Sequence, residues 1–286
     1  MKQPIGLYHA PAGHWVGDGF PVRSLFSYDR LGRHVSPFLL FDYAGPQLFD
    51  PTQQRRGVGA HPHRGFETVS IVYGGGVAHR DSAGNGGVIG PGDVQWMTAG
   101  SGLLHEEFHS EQFAREGGLL EMVQLWVNLP ATAKSVPPRY QTIVDAQIPV
   151  VGLPGGAGQV RLIAGEWQGQ RGPADTHTPL WVWDVALALG AQVDFPVPAG
   201  WNAVVALLHG ELDVGASQSM GPADMALFDA SATGLRLKAK ADCRLVLLAG
   251  EPIDEPIVGY GPFVMNTRAE IEASFADYHA GVYGQM

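Results

Sequence analysis

The residues best suited to chemistry are two groups of histidines and glutamates that lie about forty residues apart. His61, His63 and Glu67 form the first group, and His105 and Glu107 form the second. Side chains alternate between the two faces of an extended strand. We therefore expect His61, His63 and Glu67 on one face of a strand, and His105 with Glu107 on one face of another. Together the two segments offer five groups that can bind a metal ion.

The spacing of His61 and His63 places two imidazoles about 7 Å apart along one face, where one ion can take both. Taken alone, a His-x-His pattern is weak evidence, since two exposed histidines can precede a strand by chance. The second group makes a metal site the stronger interpretation. No cysteine lies near either group, which disfavours a closed structural zinc site.

Three imidazoles and one carboxylate would leave two positions open on an octahedral ion. That donor set favours Fe(II) and, less distinctively, suits Ni, Mn, Co, Cu or Zn. Open neighbouring positions are what O₂ or a chelating substrate needs. The pattern therefore favours a reactive metal centre.

The surrounding sequence has the composition of a β-protein. The chain has 286 residues, of which 45% are hydrophobic, and its 39 Gly and 21 Pro favour many short strands over long helices. The segment 68–73 is rich in β-branched residues, as a packed strand should be. One helix is expected near the C-terminus, where Thr267 and Glu270 have capping-box spacing and Ile271, Phe275 and Tyr278 follow at helical spacing. We predict an all-β fold with a C-terminal helix.

The second half of the chain repeats the first. Residues 68–74 align with residues 204–210, and residues 90–93 align with residues 221–224, which is the trace that two copies of one β-unit would leave. Counting along this alignment places Val197 and Ala199 where the first copy has His61 and His63, and Arg236 or Leu237 where it has His105. We therefore predict domains at 1–135 and 136–286, with metal in the first only and the helix at the end of the second.

Charge and cysteine content restrict the partners. The formal charge is −10, and no cluster of basic residues is longer than Arg55-Arg56, which disfavours nucleic acid and anionic membrane surfaces. The N-terminal sequence lacks the apolar core of a signal peptide, and no apolar run reaches the length of a membrane span. Cys243 is the only cysteine, so no internal disulfide can form. A cytoplasmic setting fits best.

Several motifs together resemble the pirin family, and the match runs from about residue 20 to the C-terminus. The segment 91–100 is more diagnostic than any His-x-His pair. The motifs are His61–Val69, Pro91–Gly100, His105–Glu107, Gln124–Leu129 and Tyr260–Thr267.

This resemblance implies a bicupin, that is, two antiparallel β-barrels with metal in the N-terminal barrel. It also implies that His61, His63, His105 and Glu107 are the metal ligands. The general cupin pattern would use Glu67 instead, and strand alternation alone allows either carboxylate. By resemblance we choose Glu107 and place Glu67 beside the site.

The resemblance implies two functions of different classes. One is a quercetin 2,3-dioxygenase, which opens a flavonol ring with O₂ and releases carbon monoxide, with Glu107 or Glu67 as the base. The other is a redox-sensing iron protein that binds a transcription factor or a metabolic enzyme. A monomer is expected in either case. Candidate pocket residues are Phe38, Phe41, Phe66, Trp96 and Met97.

Overall fold

The computed structural model describes residues 1–215 and 218–286, and 51% of the residues lie in strands, which pair antiparallel with their neighbours. The first thirteen strands are Pro4–Tyr8 (β1), His14–Val16 (β2), Phe20–Ser27 (β3), Phe38–Phe49 (β4), Gly57–His63 (β5), Phe66–Gly74 (β6), Val77–Asp81 (β7), Gly86–Ile89 (β8), Val94–Thr98 (β9), Leu103–His109 (β10), Gly118–Asn128 (β11), Arg139–Ile143 (β12) and Val150–Gly152 (β13).

The remaining strands are Gly158–Ala164 (β14), Glu166–Trp167 (β15), Gln170–Arg171 (β16), Leu180–Leu187 (β17), Gln192–Phe195 (β18), Asn202–His209 (β19), Leu212–Val214 (β20), Ser219–Met220 (β21), Met225–Phe228 (β22), Leu235–Ala239 (β23), Cys243–Gly250 (β24), Val258–Tyr260 (β25) and Phe263–Met265 (β26). The α-helices are Tyr28–Leu31 (α1), Glu111–Glu116 (α2) and Arg268–His279 (α3). Short 3₁₀ helices lie at Gly32–His34, Ala131–Ala133, Asp145–Gln147 and Pro154–Gly156. The predicted all-β class with a C-terminal helix is confirmed.

The chain packs into two compact units. The histidine unit comprises Gly13–Arg30, Phe38–Asp145 and Asp254–Met286, and the apolar unit comprises Met1–Ala12, Leu31–Pro37 and Ala146–Ile253. This division differs from a single boundary at residue 135, because the first twelve residues pack with the second half and the C-terminal segment packs with the first half. Ile271 and Tyr283, for example, form a cluster with Leu104 of β10.

The histidine unit contains two main sheets. The larger has the strand order β12-β9-β6-β11-β4-β3-β2, and the smaller has the order β5-β10-β7-β8. The chain leaves the smaller sheet after His63 and enters the larger sheet at Phe66. Gly65 makes this bend possible: its φ is +85°, and a Cβ there would collide with the carbonyl oxygen of Val264.

The apolar unit has a matching pair of sheets. Its seven-stranded sheet has the order β1-β22-β19-β24-β17-β14-β13, and its four-stranded sheet has the order β18-β23-β20-β21. The interior is filled by buried aliphatic and aromatic side chains, including Trp181 and Trp183, whose rings stack at 4.2 Å. Cys243 is buried in this core, as expected for a structural thiol.

The repeat predicted from the sequence is visible in the hydrogen bonds of one turn. The N–H of Gly90 donates to Asp93 Oδ2 at 3.0 Å, and the N–H of Gly221 donates to Asp224 Oδ2 at 2.8 Å. Each turn is also bonded to its strand at 2.8 Å, by the N–H of Gly92 to the carbonyl of Val72 and by the N–H of Ala223 to the carbonyl of Leu207. Val72 therefore corresponds to Leu207, one residue from the position that counting along the sequence gives.

The strand pairings on either side of this match give other counterparts for the predicted ligands than counting along the sequence does. Leu235 then occupies the position of His105, Leu237 that of Glu107, and Phe195 that of His61. All three are fully buried members of the apolar core. These positions of the apolar unit thus carry side chains without a metal-binding atom.

Helix α3 begins as the sequence predicts. Thr267 is its N-cap, and Thr267 and Glu270 form a reciprocal capping box. Ile271 is buried against Phe263 and Met265 of β26, and Phe275 packs on the same cluster. Across the part of the chain that the structure describes, no helix has the length and apolar character needed to cross a membrane.

A buried lysine ties three segments of the histidine unit together. Lys134 Nζ donates to the carbonyl oxygen of Gly65 at 2.8 Å, to Asn128 Oδ1 at 2.8 Å and to the carbonyl oxygen of Val264 at 2.9 Å. This residue is 2% exposed, and burial lowers the pKa of Lys134 to about 8. The bend after His63 is therefore held to the C-terminal segment by one ammonium group.

We expect the stability that Lys134 contributes to depend on pH. The pKa of Lys134 is lower in the folded state than its unfolded value of 10.5, so the unfolded state binds more protons between about pH 8 and 10.5. The stability that Lys134 contributes therefore rises with pH in this range and is lost as pH falls through about 8. Lys134→Met should thus lower the free energy of unfolding by about 2 kcal/mol more at about pH 10 than at about pH 7.5.

Urea denaturation at both pH values measures this difference, with Lys238→Met, at an exposed position, as the control. A destabilisation by Lys134→Met that is equal at the two pH values would show that Lys134 titrates alike in the folded and unfolded states.

Candidate metal centre

Antiparallel pairing of β5 with β10 brings three histidines together. His61 lies directly opposite His105, and His63 lies opposite Leu103. The ring centroids are 4.2 Å apart for His61 and His105, 4.6 Å for His63 and His105, and 4.8 Å for His61 and His63. One nitrogen from each ring lies within 4.8 Å of the other two, close enough for a single ion to bind all three.

Hydrogen bonds leave the same nitrogen of these histidines available for a metal. His61 Nδ1 donates to the carbonyl of Gly59 at 2.9 Å, and His63 Nδ1 lies 3.4 Å from the carbonyl of Pro262. Because a carbonyl oxygen can only accept, each Nδ1 carries the proton and each Nε2 keeps its lone pair. His105 Nε2 is buried without a hydrogen-bond partner. The residues present fit a metal ion, since buried polar atoms are otherwise almost always paired.

Burial also keeps two of the rings in the form that a metal requires. Desolvation, followed by the neighbouring imidazoles, lowers the pKa of His63 and of His105 well below the usual histidine value. A neutral imidazole offers the lone pair that an imidazolium lacks. Both side chains are therefore prepared to bind a cation at neutral pH.

Glu107 lies beside His105, as the alternation along β10 predicts. The two form a second group with His79 whose ligand atoms also lie within 4.8 Å of one another. Glu107 Oε1 is 3.4 Å from Ser70 Oγ of the facing sheet. Of the four predicted ligands, the structure thus brings the three histidines into one group and joins Glu107 to that group through His105.

Glu67 does not share a face with the histidines, so this expectation from strand alternation is wrong. The bend at Gly65 moves the chain from β5 to β6, which is in the other sheet, and the alternation does not carry through it. Glu67 pairs with Thr98 and accepts a hydrogen bond from Thr98 Oγ1 at 2.7 Å. It lies on the face of β6 opposite to Ser70, the residue that approaches Glu107.

His79 is a site residue that the sequence reasoning missed. It lies opposite Glu107 in the pairing of β7 with β10, its Nδ1 is 3.4 Å from His105 Nδ1, and its ring stacks on Tyr140 at 5.0 Å. Its side chain is fully buried, with Nε2 3.9 Å from an Asp81 carboxylate oxygen. The alternation of His79 with Asp81 along β7 was the available signal, because it puts both on one face.

The predicted pocket residues are all deeply buried. Phe38, Phe41, Phe66, Trp96 and Met97 are each at most 1% exposed. Phe66 is the one with a ring contact to a candidate ligand: its ring is 5.0 Å from His63 and 4.3 Å from Trp126.

Glu107 itself borders a small cavity of about 50 Å³, whose lining contains none of these five predicted residues. The lining residues are Val16, Phe20, Val22, Asp42, Val58, Glu107, Met122 and Gln124.

Comparisons with known proteins agree with this architecture. A family model described as pirin matches residues 19–127, and one described as the pirin C-terminal cupin domain matches residues 182–284. A Pseudomonas aeruginosa protein, provisionally named a quercetin 2,3-dioxygenase, is 59% identical over 98% of both chains. Human pirin is 37% identical over 92% of this chain and 87% of its own length.

A solved structure is also similar along its whole length. The crystal structure of quercetin 2,3-dioxygenase from Acinetobacter baumannii superposes with a TM-score of 0.97 at 50% identity, covering 100% of this chain and 99% of the other. The predicted bicupin fold is thereby confirmed.

Removing a histidine should empty the site without unfolding the chain. We expect His105→Ala, and likewise His61→Ala, to lower bound metal to less than about a tenth of the wild-type amount at limiting metal. Elemental analysis after dialysis measures the metal, and far-UV circular dichroism checks the fold. Wild-type metal content in both variants would place the ion elsewhere.

His79 should influence metal affinity through His105. His79→Phe keeps a planar ring to stack on Tyr140 but removes Nδ1, so we expect metal binding to weaken about tenfold. Isothermal titration with Ni(II) measures the affinity, and His34→Phe, at an exposed position, is the matched control. Equal affinities for wild type and His79→Phe would mean that His105 is oriented without His79.

Proposed function

Because the chain belongs to the pirin family, we propose that it is a metal-dependent quercetin 2,3-dioxygenase, which opens a flavonol ring with O₂ and releases carbon monoxide. Two similar proteins support this proposal: the relative that is 59% identical and the solved structure that is 50% identical, both named for quercetin 2,3-dioxygenase. A flavonol and O₂ are the substrates that follow.

The observation that carries the proposal is the convergence of three imidazoles with a carboxylate beside them. His61, His63 and His105 would hold the ion through Nε2, and Glu107 would supply the carboxylate oxygen. A bound metal would act as a Lewis acid that lowers the pKa of the flavonol 3-hydroxyl. This nitrogen-rich set without thiolate suits Fe(II), our proposed metal, and also Ni, Mn, Co, Cu or Zn.

Glu107 is the proposed base. Its carboxylate is on the histidine side of the unit, where it could accept the proton of the flavonol 3-hydroxyl. Glu67 is 1% exposed and holds the Thr98 hydroxyl on the other face of β6. A proton acceptor must come within hydrogen-bond reach of the proton, so the geometry favours Glu107 over Glu67.

The surroundings of the histidines suit a flat aromatic substrate. His61 is partly exposed, whereas His63 and His105 are buried, so a substrate would approach past His61. The rings of Phe66 and Trp126 lie beside His63, at 5.0 and 5.4 Å. We therefore keep Phe66 as a candidate pocket residue and add Trp126, since offset or edge contacts between aromatic rings are favourable.

Aerobic incubation of the Fe(II)-loaded protein with quercetin tests the proposal. We expect loss of the flavonol absorbance over many turnovers, with release of carbon monoxide and with no turnover by His105→Ala. If the loaded protein binds metal but consumes no flavonol with any of the candidate metals, the dioxygenase assignment fails. A regulatory, partner-binding role would then be the better interpretation.

The same assay distinguishes the two glutamates. Glu107→Gln removes the proposed base and should lower kcat by about 10²-fold or more, as loss of a general base does. Glu67→Gln keeps an acceptor for Thr98 and should change kcat by less than about tenfold. A larger loss in Glu67→Gln than in Glu107→Gln would assign the role of the base to Glu67.

A further inference from the structure

A row of polar side chains crosses the interior face of the larger sheet in the histidine unit. Five neighbouring strands, β9, β6, β11, β4 and β3, each contribute one residue at the same level of the ladder. Directly opposed residues of paired strands project from the same face. The row consists of Gln95, Ser70, Gln124, Asp42 and Ser24.

The row reaches Glu107 and has unused hydrogen-bonding capacity. Ser70 Oγ is 2.7 Å from Gln124 Oε1 and 3.4 Å from Glu107 Oε1. Asp42 Oδ1 and both polar side-chain atoms of Gln95 are buried without a partner. Asp42, Gln124 and Glu107 border the same cavity of about 50 Å³, which has room for a bridging water.

The apolar unit supplies an internal comparison. Its corresponding strands, β22, β19, β24, β17 and β14, carry aliphatic or aromatic side chains at the same level of the ladder, and Trp183 Nε1 is the one polar side-chain atom among them. These are Ala226, Val205, Leu247, Trp183 and Leu162, all part of the buried core. The strand architecture therefore forms without a polar row.

Burying polar groups with incomplete partners costs free energy, because each unsatisfied group loses its hydrogen bonds to water. The corresponding row of the apolar unit has one such atom, Trp183 Nε1, so the same strand architecture forms without the larger cost of several. The row contacts Glu107 through Ser70 Oγ, which indicates that the polar groups act on this carboxylate. We propose that Asp42, Gln124 and Ser70 are positioning residues that orient the Glu107 carboxylate toward the three histidines.

The number of hydrogen-bond donors in the row limits how it can reach Glu107. Ser70 has one hydroxyl proton, so it donates either to Gln124 or to Glu107. When the Gln124 carboxamide turns its Nε2 toward Ser70, Ser70 donates to Glu107 and Gln124 Oε1 accepts from a protonated Asp42, directly or through a water. Burial raises the pKa of Asp42, which favours the protonated donor. The chain of donors then ends on the Glu107 carboxylate.

The first test exchanges a hydroxyl for a methyl group at one position. Ser70→Thr and Ser70→Val have nearly the same shape, and Val is the residue of the apolar unit at this position. We expect Ser70→Val to keep or raise the melting temperature, to weaken Co(II) binding about tenfold and to change the Co(II) absorption spectrum, while Ser70→Thr stays close to wild type in affinity and spectrum. Wild-type affinity and spectrum in Ser70→Val, or equal losses in both variants, would overturn the proposal.

A double-mutant cycle shows whether the row acts through Glu107. In a Glu107→Gln background, Ser70→Val and Gln124→Leu should have no further effect on Co(II) affinity, although each weakens it in the wild type. Additive losses, or an unfolded Gln124→Leu variant, would make the row structural and refute the proposal. The inference rests on Glu107 as the carboxylate of the proposed function. The Co(II) measurements use no flavonol. They can therefore support or refute the positioning role whether or not the protein opens the flavonol ring.

Discussion

The pairing of β5 with β10 is the interaction on which the candidate site depends. This pairing sets His61 opposite His105 and brings His63 to the same end of the sheet. The arrangement gathers imidazole nitrogens at one point, where burial lowers the pKa of His63 and of His105, so both rings stay neutral, but leaves His105 Nε2 unpaired. A cation held by these nitrogens would offset the desolvation that their burial costs.

The two units show how one strand architecture can carry two kinds of interior. The apolar unit fills its interior with side chains such as Trp183 and Leu247, which stabilise the fold by burial alone. The histidine unit places Asp42 and Gln124 at the corresponding points and gives up part of that stabilisation. Buried polar groups without partners are expected at functional sites. Among the described residues most of them lie in the unit with the histidines, and Trp183 Nε1 lies in the apolar unit.

The C-terminal segment is part of the histidine unit and contacts the site directly. The carbonyl of Pro262 lies beside His63 Nδ1, and Lys134 links the carbonyl of Val264 to the bend at Gly65. Arg64, next to His63, pairs with Asp277 of α3 at 2.6 Å. Residues two hundred positions away in sequence thus fix the strand that carries two of the candidate ligands.

The sequence alone determined the local features of this protein. The spacing of His61 and His63, the β-branched run after them and the capping box of α3 depend on neighbouring residues, and each was readable without coordinates. The repeat was also visible, because the Gly90 and Gly221 turns kept their aspartates. Such features follow from alternation, capping and turn chemistry, which act over a few residues.

Only the tertiary structure decided which distant residues meet. Alternation predicted a shared face for Glu67 and the histidines, but it holds only within an unbroken strand, and Gly65 sends the chain into the other sheet. His79 and the polar row with Asp42 reach the site through strand pairings that no local pattern encodes. The pairing of strands distant in sequence is set by the packing of the whole unit, so those contacts could not be read from the sequence.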